Sequence, residues 1–101
     1  MKWLVVICLL ICSCGPSARE SKEYTIEIAQ MQFTPAAITV HKGDKITFVN
    51  HDMVTHDVTE AGKAWTSASL PADASWEMTV TQSADYYCTI HPVMKGKIVV
   101  E

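Results

Sequence analysis

From Tyr24 to the C-terminus the chain repeats with a period of two and shows no convincing helical period. Tyr24 to Met31, Lys45 to Asn50 and Ser75 to Thr81 alternate apolar and polar residues, the pattern of half-buried strands. Ala37 to His41, His56 to Thr59, Asp85 to Cys88 and Lys97 to Glu101 read as shorter strands, with Phe33-Thr34-Pro35 as a break after the first. Lys42-Gly43-Asp44, Ala61-Gly62-Lys63 and Pro71-Ala72-Asp73 read as turns, and Ala64 to Leu70 is either a weak strand or a loop. Short strands at regular spacing between turn signals predict an all-β sandwich.

The first residues belong to another category. Lys2 precedes the apolar run Trp3 to Ile11, which is too short to span a bilayer as a permanent helix. A basic start, a short apolar core and then small residues predict a secretory signal. Ile11-Cys12-Ser13-Cys14-Gly15 is similar to a bacterial lipobox, with Cys14 as the residue that receives lipid; plain cleavage near Ser13 is the alternative. Cys12 follows the large Ile11, where a lipobox needs a small residue. The expected organisation is therefore a lipoprotein-type signal over 1–14, a flexible polar tether over 15–23 and one domain over 24–101. A domain of about 78 residues has a thin stability margin, which a bound metal would widen. The expected location is the bacterial periplasm, with the chain lipid-anchored to a membrane or, failing lipidation, soluble.

Charge excludes one class. Losing Lys2 leaves seven Lys and Arg against eleven Asp and Glu, with no basic patch for nucleic acid. Cysteine usage is more informative. Of four Cys, Cys8, Cys12 and Cys14 fall in the signal region, so Cys88 is the only thiol of the domain apart from a lipidated Cys14. It has no partner for an internal disulfide, and a leftover Cys in an oxidising compartment needs an explanation. It is either a small buried core residue or a metal ligand.

The neighbours of Cys88 favour the second. Cys88-Thr89-Ile90-His91-Pro92-Val93-Met94 places a thiolate, an imidazole and a thioether three residues apart on a loop between two strands. A tight loop can turn all three toward one point. Pro92 stiffens it and Gly96 lets the chain leave for the last strand. His56, at the start of a strand, is the fourth candidate and must arrive through tertiary folding. Zinc-finger ligands instead come in two local pairs. Two imidazoles, one thiolate and a weak axial Met define an electron-transfer copper site: soft sulfur suits Cu(I) and imidazole also suits Cu(II). Iron–sulfur clusters need more thiolates than this domain has.

The segment Tyr87 to Glu101 resembles the copper loop and last strand of the plastocyanin/azurin family of cupredoxins, and its Cys-x2-His-x2-Met spacing is similar to the short amicyanin-type loop. Pro35, Ile38, Val40, Gly43-Asp44, Thr47-Phe48-Val49-Asn50 and His56 follow the family's first half in order; the resemblance is weakest over 61–74. It implies a Greek-key sandwich and one copper ion on His56, Cys88, His91 and Met94. His91 would lie near the surface, ringed by Pro92, Val93 and Met53, where a redox partner docks; the other three ligands would be buried. The family usually has Asn after the first His ligand, and here it is Asp57. Asp57 is expected to accept hydrogen bonds, with Thr89 as a donor, and its charge to favour Cu(II). Asn50 is expected to satisfy loop backbone beside the site.

His41 and His51 read as surface residues, with His51 close enough to His56 to raise a second metal as a weaker alternative. Trp65, Trp76, Tyr86 and Tyr87 read as core or edge packing. Two functions share the four ligands: a periplasmic one-electron carrier, or a protein that stores, buffers or delivers copper. A site filled by protein ligands leaves no open position for a substrate, so no enzyme is expected. The chain is expected to act as a monomer.

Overall fold

The computed structural model describes residues 19–101. Eight strands form two four-stranded sheets, and no helix forms among the described residues. The strands are β1 (Glu23–Ala29), β2 (Gln32–Thr34), β3 (Ala37–Val40), β4 (Lys45–Asn50), β5 (Thr59–Glu60), β6 (Ser75–Thr79), β7 (Ala84–Tyr87) and β8 (Lys95–Val100). One sheet runs β2-β1-β4-β6 and the other β3-β8-β7-β5. β1 and β4 pair in parallel, as do β3 and β8, and all other pairs are antiparallel. The chain switches sheet at each step from β2 to β7. The sandwich is therefore stitched across its core by sequence-distant pairings.

Alternation builds that core. In β1, Ile26 and Ile28 are buried while Thr25 and Glu27 are exposed. In β4, Ile46, Phe48 and Asn50 point inward. Val40, Tyr86 and Ile98 answer from the other sheet, with Val58, Leu70 and Val80 closing the ends. Burying each such aliphatic or aromatic side chain contributes about 1.5–3 kcal/mol. Tyr86 is the hub: its ring meets Phe33 edge-on at 4.8 Å and Phe48 at 5.4 Å. Its strand partner is Gly96, where any side chain would enter the Tyr86 ring. Gly96 thus serves packing across the sheet, beyond its expected role of letting the chain leave the loop. Trp65 and Trp76 are half-buried and stack obliquely at 5.9 Å over the core edge, as packing residues.

Four local readings change or resolve. Phe33-Thr34 does not break the fold but lies in β2, a strand returning along β1. The reversal uses Gln30 and Met31, both with positive φ, a turn normally signalled by Asn or Gly. His56 is not in a strand; it makes an isolated bridge to Leu70, and only Thr59–Glu60 pairs with β7. Thr66 bridges to Thr59, so 64–70 is a loop with two strand-like contacts. The last strand starts at Lys95, two residues before the alternation suggests.

The end of the sandwich where β1 and β4 begin is held by one carboxylate. Asp44 is fully buried and accepts from Arg19 Nη1 at 2.7 Å, Lys22 N at 2.9 Å and His41 N at 2.9 Å. The Arg19 guanidinium first, and the backbone N–H groups with it, hold the Asp44 carboxyl well below the usual carboxylate range against the opposing effect of burial. A depressed folded-state value means stability that is present above the unfolded value, about pH 4, and is lost as pH falls below it. Asp44→Asn is therefore expected to lower the urea midpoint most at pH 7. The gap from the parent should shrink between about pH 4 and pH 2. An equal gap at pH 7 and pH 3 would show that Asp44 acts by shape alone.

Candidate metal centre

At the opposite end of β4 the chain leaves Asn50 into the 51–55 loop, and Asn50 organises it. Its Nδ2 donates to Val54 O at 2.9 Å and Leu70 O at 2.8 Å, while its Oδ1 accepts from Asp52 N at 2.9 Å. The loop delivers His56 into the interior, where it is fully buried and hydrogen-bonded through its backbone to Leu70. On the facing sheet, Cys88 follows β7 and the loop to β8 closes through Met94 N to His91 O at 2.9 Å and Cys88 N to Met94 O at 3.1 Å. These two bonds make the 88–94 segment a compact bracket whose donors share one side.

Cys88 Sγ lies 3.8 Å from His56 Nδ1 and 3.9 Å from His91 Nδ1. The donor atoms of His56, Cys88 and His91 all fall within 4.8 Å of one another. The two imidazole rings meet edge-on, with centroids 5.0 Å apart and planes at 65°. Cys88 and Met94 are buried, and His91 is half-exposed. The two loops that carry the ligands expose apolar side chains: Met53 and Val54 in the 51–55 loop, Ile90 and Val93 in the 88–94 loop, Met53 and Val93 almost fully. Pro92 is exposed among them.

Two carboxylates set the geometry. Asp57 is buried and accepts from Thr89 N at 3.0 Å, from Thr89 Oγ1 and from Thr59 Oγ1 at 2.9 Å. Its own N–H donates to Cys88 Sγ at 3.4 Å. Asp57 thereby joins the His56 segment to the 88–94 loop. The other carboxylate, Asp52, is absent from the sequence reading. Its Oδ2 accepts from His56 Nε2 at 2.8 Å, which leaves the Nδ1 lone pair free to face Cys88. The same carboxylate accepts from Gln30 N at 2.7 Å and Met31 N at 3.0 Å, and so stabilises the positive-φ turn. Burial raises the Asp52 carboxyl, but the Met31 N–H, the His56 ring and the Gln30 N–H outweigh it, so it sits below its ordinary range. The available signal was an acidic residue four positions before a candidate imidazole ligand.

The remaining histidines stand apart. His51 Nε2 lies 3.5 Å from Glu27 on the surface, and His41 is exposed at the Asp44 end. Among the described residues, the group of three such donors is the one around Cys88. The donor chemistry fits copper: one thiolate and two imidazoles converge beside a buried thioether, with no hard-oxygen cage. Cys14 lies outside the described residues.

This fold and site agree with comparison to known proteins. A cupredoxin-like domain model matches residues 2–100, and the chain belongs to that family. It is 31% identical to amicyanin of Paracoccus denitrificans over 83 residues, covering 75% of this chain and 63% of that protein. Against amicyanin-alpha of Methylorubrum extorquens it is 30% identical, covering 75% and 70%. The match thus spans less than two thirds of the Paracoccus relative. Among solved structures, the Cu(I) form of an amicyanin mutant superposes with a TM-score of 0.73 at 29% identity, covering 78% of this chain and 82% of that one. A reduced amicyanin mutant gives 0.71 at 31% identity, covering 76% and 80%.

Asp52→Asn tests the part the carboxylate plays in orienting His56. Outer partners of a ligating His are worth about 10–100-fold in metal affinity. The variant should lose affinity on that scale in a copper titration against a competing chelator. An affinity within about twofold of the parent would show that Asp52 serves only the turn.

Proposed function

We propose that this chain is a one-electron carrier that holds a single copper ion through His56, Cys88, His91 and Met94. The observation that carries the reading is the convergence of His56, Cys88 and His91 donor atoms within 4.8 Å, with only the His91 ring reaching the surface. A copper ion bound there supplies exchange of one electron between Cu(I) and Cu(II).

The residues divide the remaining work. His56 is fixed by Asp52 and contributes a buried imidazole of defined tautomer. Cys88 contributes the thiolate, to which the Asp57 N–H donates, removing some charge from sulfur. Met94 is buried beside them as the thioether. Each orienting bond belongs to the protein alone, so the donors are held in place with little freedom to rearrange. The half-exposed His91 ring is the route from site to surface, and the apolar rim of Met53, Pro92 and Val93 excludes water where a redox partner docks. Burial of three of the four ligands supports retention of copper, and so the carrier over a copper-delivery protein. The same closed ligand set supports a protein that is no enzyme. The lipobox-like Ile11 to Gly15 segment supports export to the bacterial periplasm with lipid on Cys14.

The purified domain with Cu(II) should show an intense visible thiolate-to-copper band that disappears in Cys88→Ser. A colourless copper-loaded protein would defeat the reading. Rapid reversible voltammetry without copper loss distinguishes the carrier from delivery, which would release copper readily to a chelator. In the same cell, Asp57→Asn should raise the reduction potential by on the order of 100 mV, the scale of one unit charge near contact in a protein interior. The amide keeps the shape and can still accept from Thr89 N, so an unchanged or lower potential would remove charge as the role of Asp57.

A further inference from the structure

The Asp44 clasp lies at the end of the sandwich opposite the metal centre. β1 and β4 run side by side in parallel, with Glu23 beside Lys45 at one end and Ile28 beside Asn50 at the other. Asp44 immediately precedes β4, whereas Asn50, Asp52 and His56 follow it. The six residues of β4 span about 20 Å, and the ligands lie beyond that span. Arg19 and Lys22 belong to the polar segment before β1, yet both are bound. The Arg19 guanidinium grips both oxygens of the buried Asp44, at 2.7 and 3.3 Å, and Lys22 N adds a third bond at 2.9 Å. Lys45 N donates in turn to Lys22 O at 2.9 Å, so the segment is sewn to the start of β4.

We propose that this clasp holds the domain on its membrane with the His91 end turned away from the bilayer and toward the aqueous side. The proposal rests on the copper site and on lipid at Cys14, and adds the orientation between them. Chain length decides it. Between Cys14 and a clasped Arg19 the leash is five residues, at most about 18 Å extended. That is shorter than β4 alone, so the domain cannot invert to bring His91 to the headgroups. Without the Arg19 contact the leash runs to Lys22, at most about 29 Å, and inversion comes within reach. Charge contributes little, because Lys42 and Lys45 at this end are accompanied by Glu20 and Glu23.

The test uses the lipidated full chain in phosphatidylethanolamine–phosphatidylglycerol vesicles that carry a nitroxide on a lipid headgroup. A fluorophore is attached at Lys42→Cys or at Val93→Cys, both exposed positions. The label at 42 should be quenched several-fold more than the label at 93. Arg19→Ala should at least halve that contrast, and Arg19→Lys should restore it. Equal quenching at the two positions in the parent would overturn the orientation, and so would a contrast unaffected by Arg19→Ala. The parent comparison stands even if the alanine variant folds poorly. Mass spectrometry of the same sample reports the anchor: an unmodified Cys14 would also overturn the proposal. The visible spectrum reports the copper reading separately.

Discussion

The metal centre depends on Asp57, which ties together the two loops that carry its ligands. His56 and Cys88 are separated by 32 residues and neither lies in a strand: His56 ends the loop after β4 and Cys88 follows β7, so nothing local brings them together. Asp57 closes that gap through both of its faces. Its side chain takes up donors from Thr89 and Thr59, and its backbone N–H points at the Cys88 sulfur. A buried carboxylate is costly unless its oxygens are satisfied, and hydrogen bonds to charged groups are worth about 1.5–3 kcal/mol each. The site therefore has one preferred spacing between its two ligand loops, set by a group that is itself buried in the sandwich.

Asp52 performs the matching task for orientation. One carboxylate serves a strained turn and a ligand imidazole, so the β1–β2 reversal and the tautomer of His56 are coupled. Positive φ at Gln30 and Met31 is unfavourable for such side chains, and persists where surrounding contacts over-determine it. Here those contacts are the two N–H bonds to Asp52. Loss of the carboxylate would loosen the turn and the ligand together. Fold and function meet at that residue.

The alternation of Tyr24 to Met31, Lys45 to Asn50 and Ser75 to Thr81 made the sandwich legible, because a period of two follows directly from strand geometry. The Cys88 loop was legible because its donors are local. His56 is legible by residue type, but its setting is not the strand that the sequence suggests: the chain there is held by a single backbone bridge to Leu70 and by the side chains of Asn50 and Asp57, none of which announces itself in composition. β2 was missed for a related reason. Its turn lacks Asn or Gly and is stabilised by Asp52, twenty-one residues away from Met31, a contact that no local pattern encodes. The tether was read from its polarity, yet Arg19 finds a buried carboxylate 25 residues on. Long-range polar contacts are what the sequence hides. Apolar periodicity and local ligand spacing are what it displays.

The division between rigid and open parts of the site is what the proposed electron exchange would require of a domain this small. Rearrangement of ligands between oxidation states is the barrier that such a protein must keep low. Every orienting contact described, Asp52 to His56, Asp57 to Thr89 and Cys88 to Met94, is made between protein groups. None requires the ion, so a change in its charge breaks none of them. Of the four ligands only His91 is partly exposed, and Pro92 and Val93 beside it in the chain are exposed as well. A mobile site would release copper more easily and exchange electrons more slowly. The same hydrogen bonds that narrow the ligand geometry thus favour the proposed carrier over copper delivery.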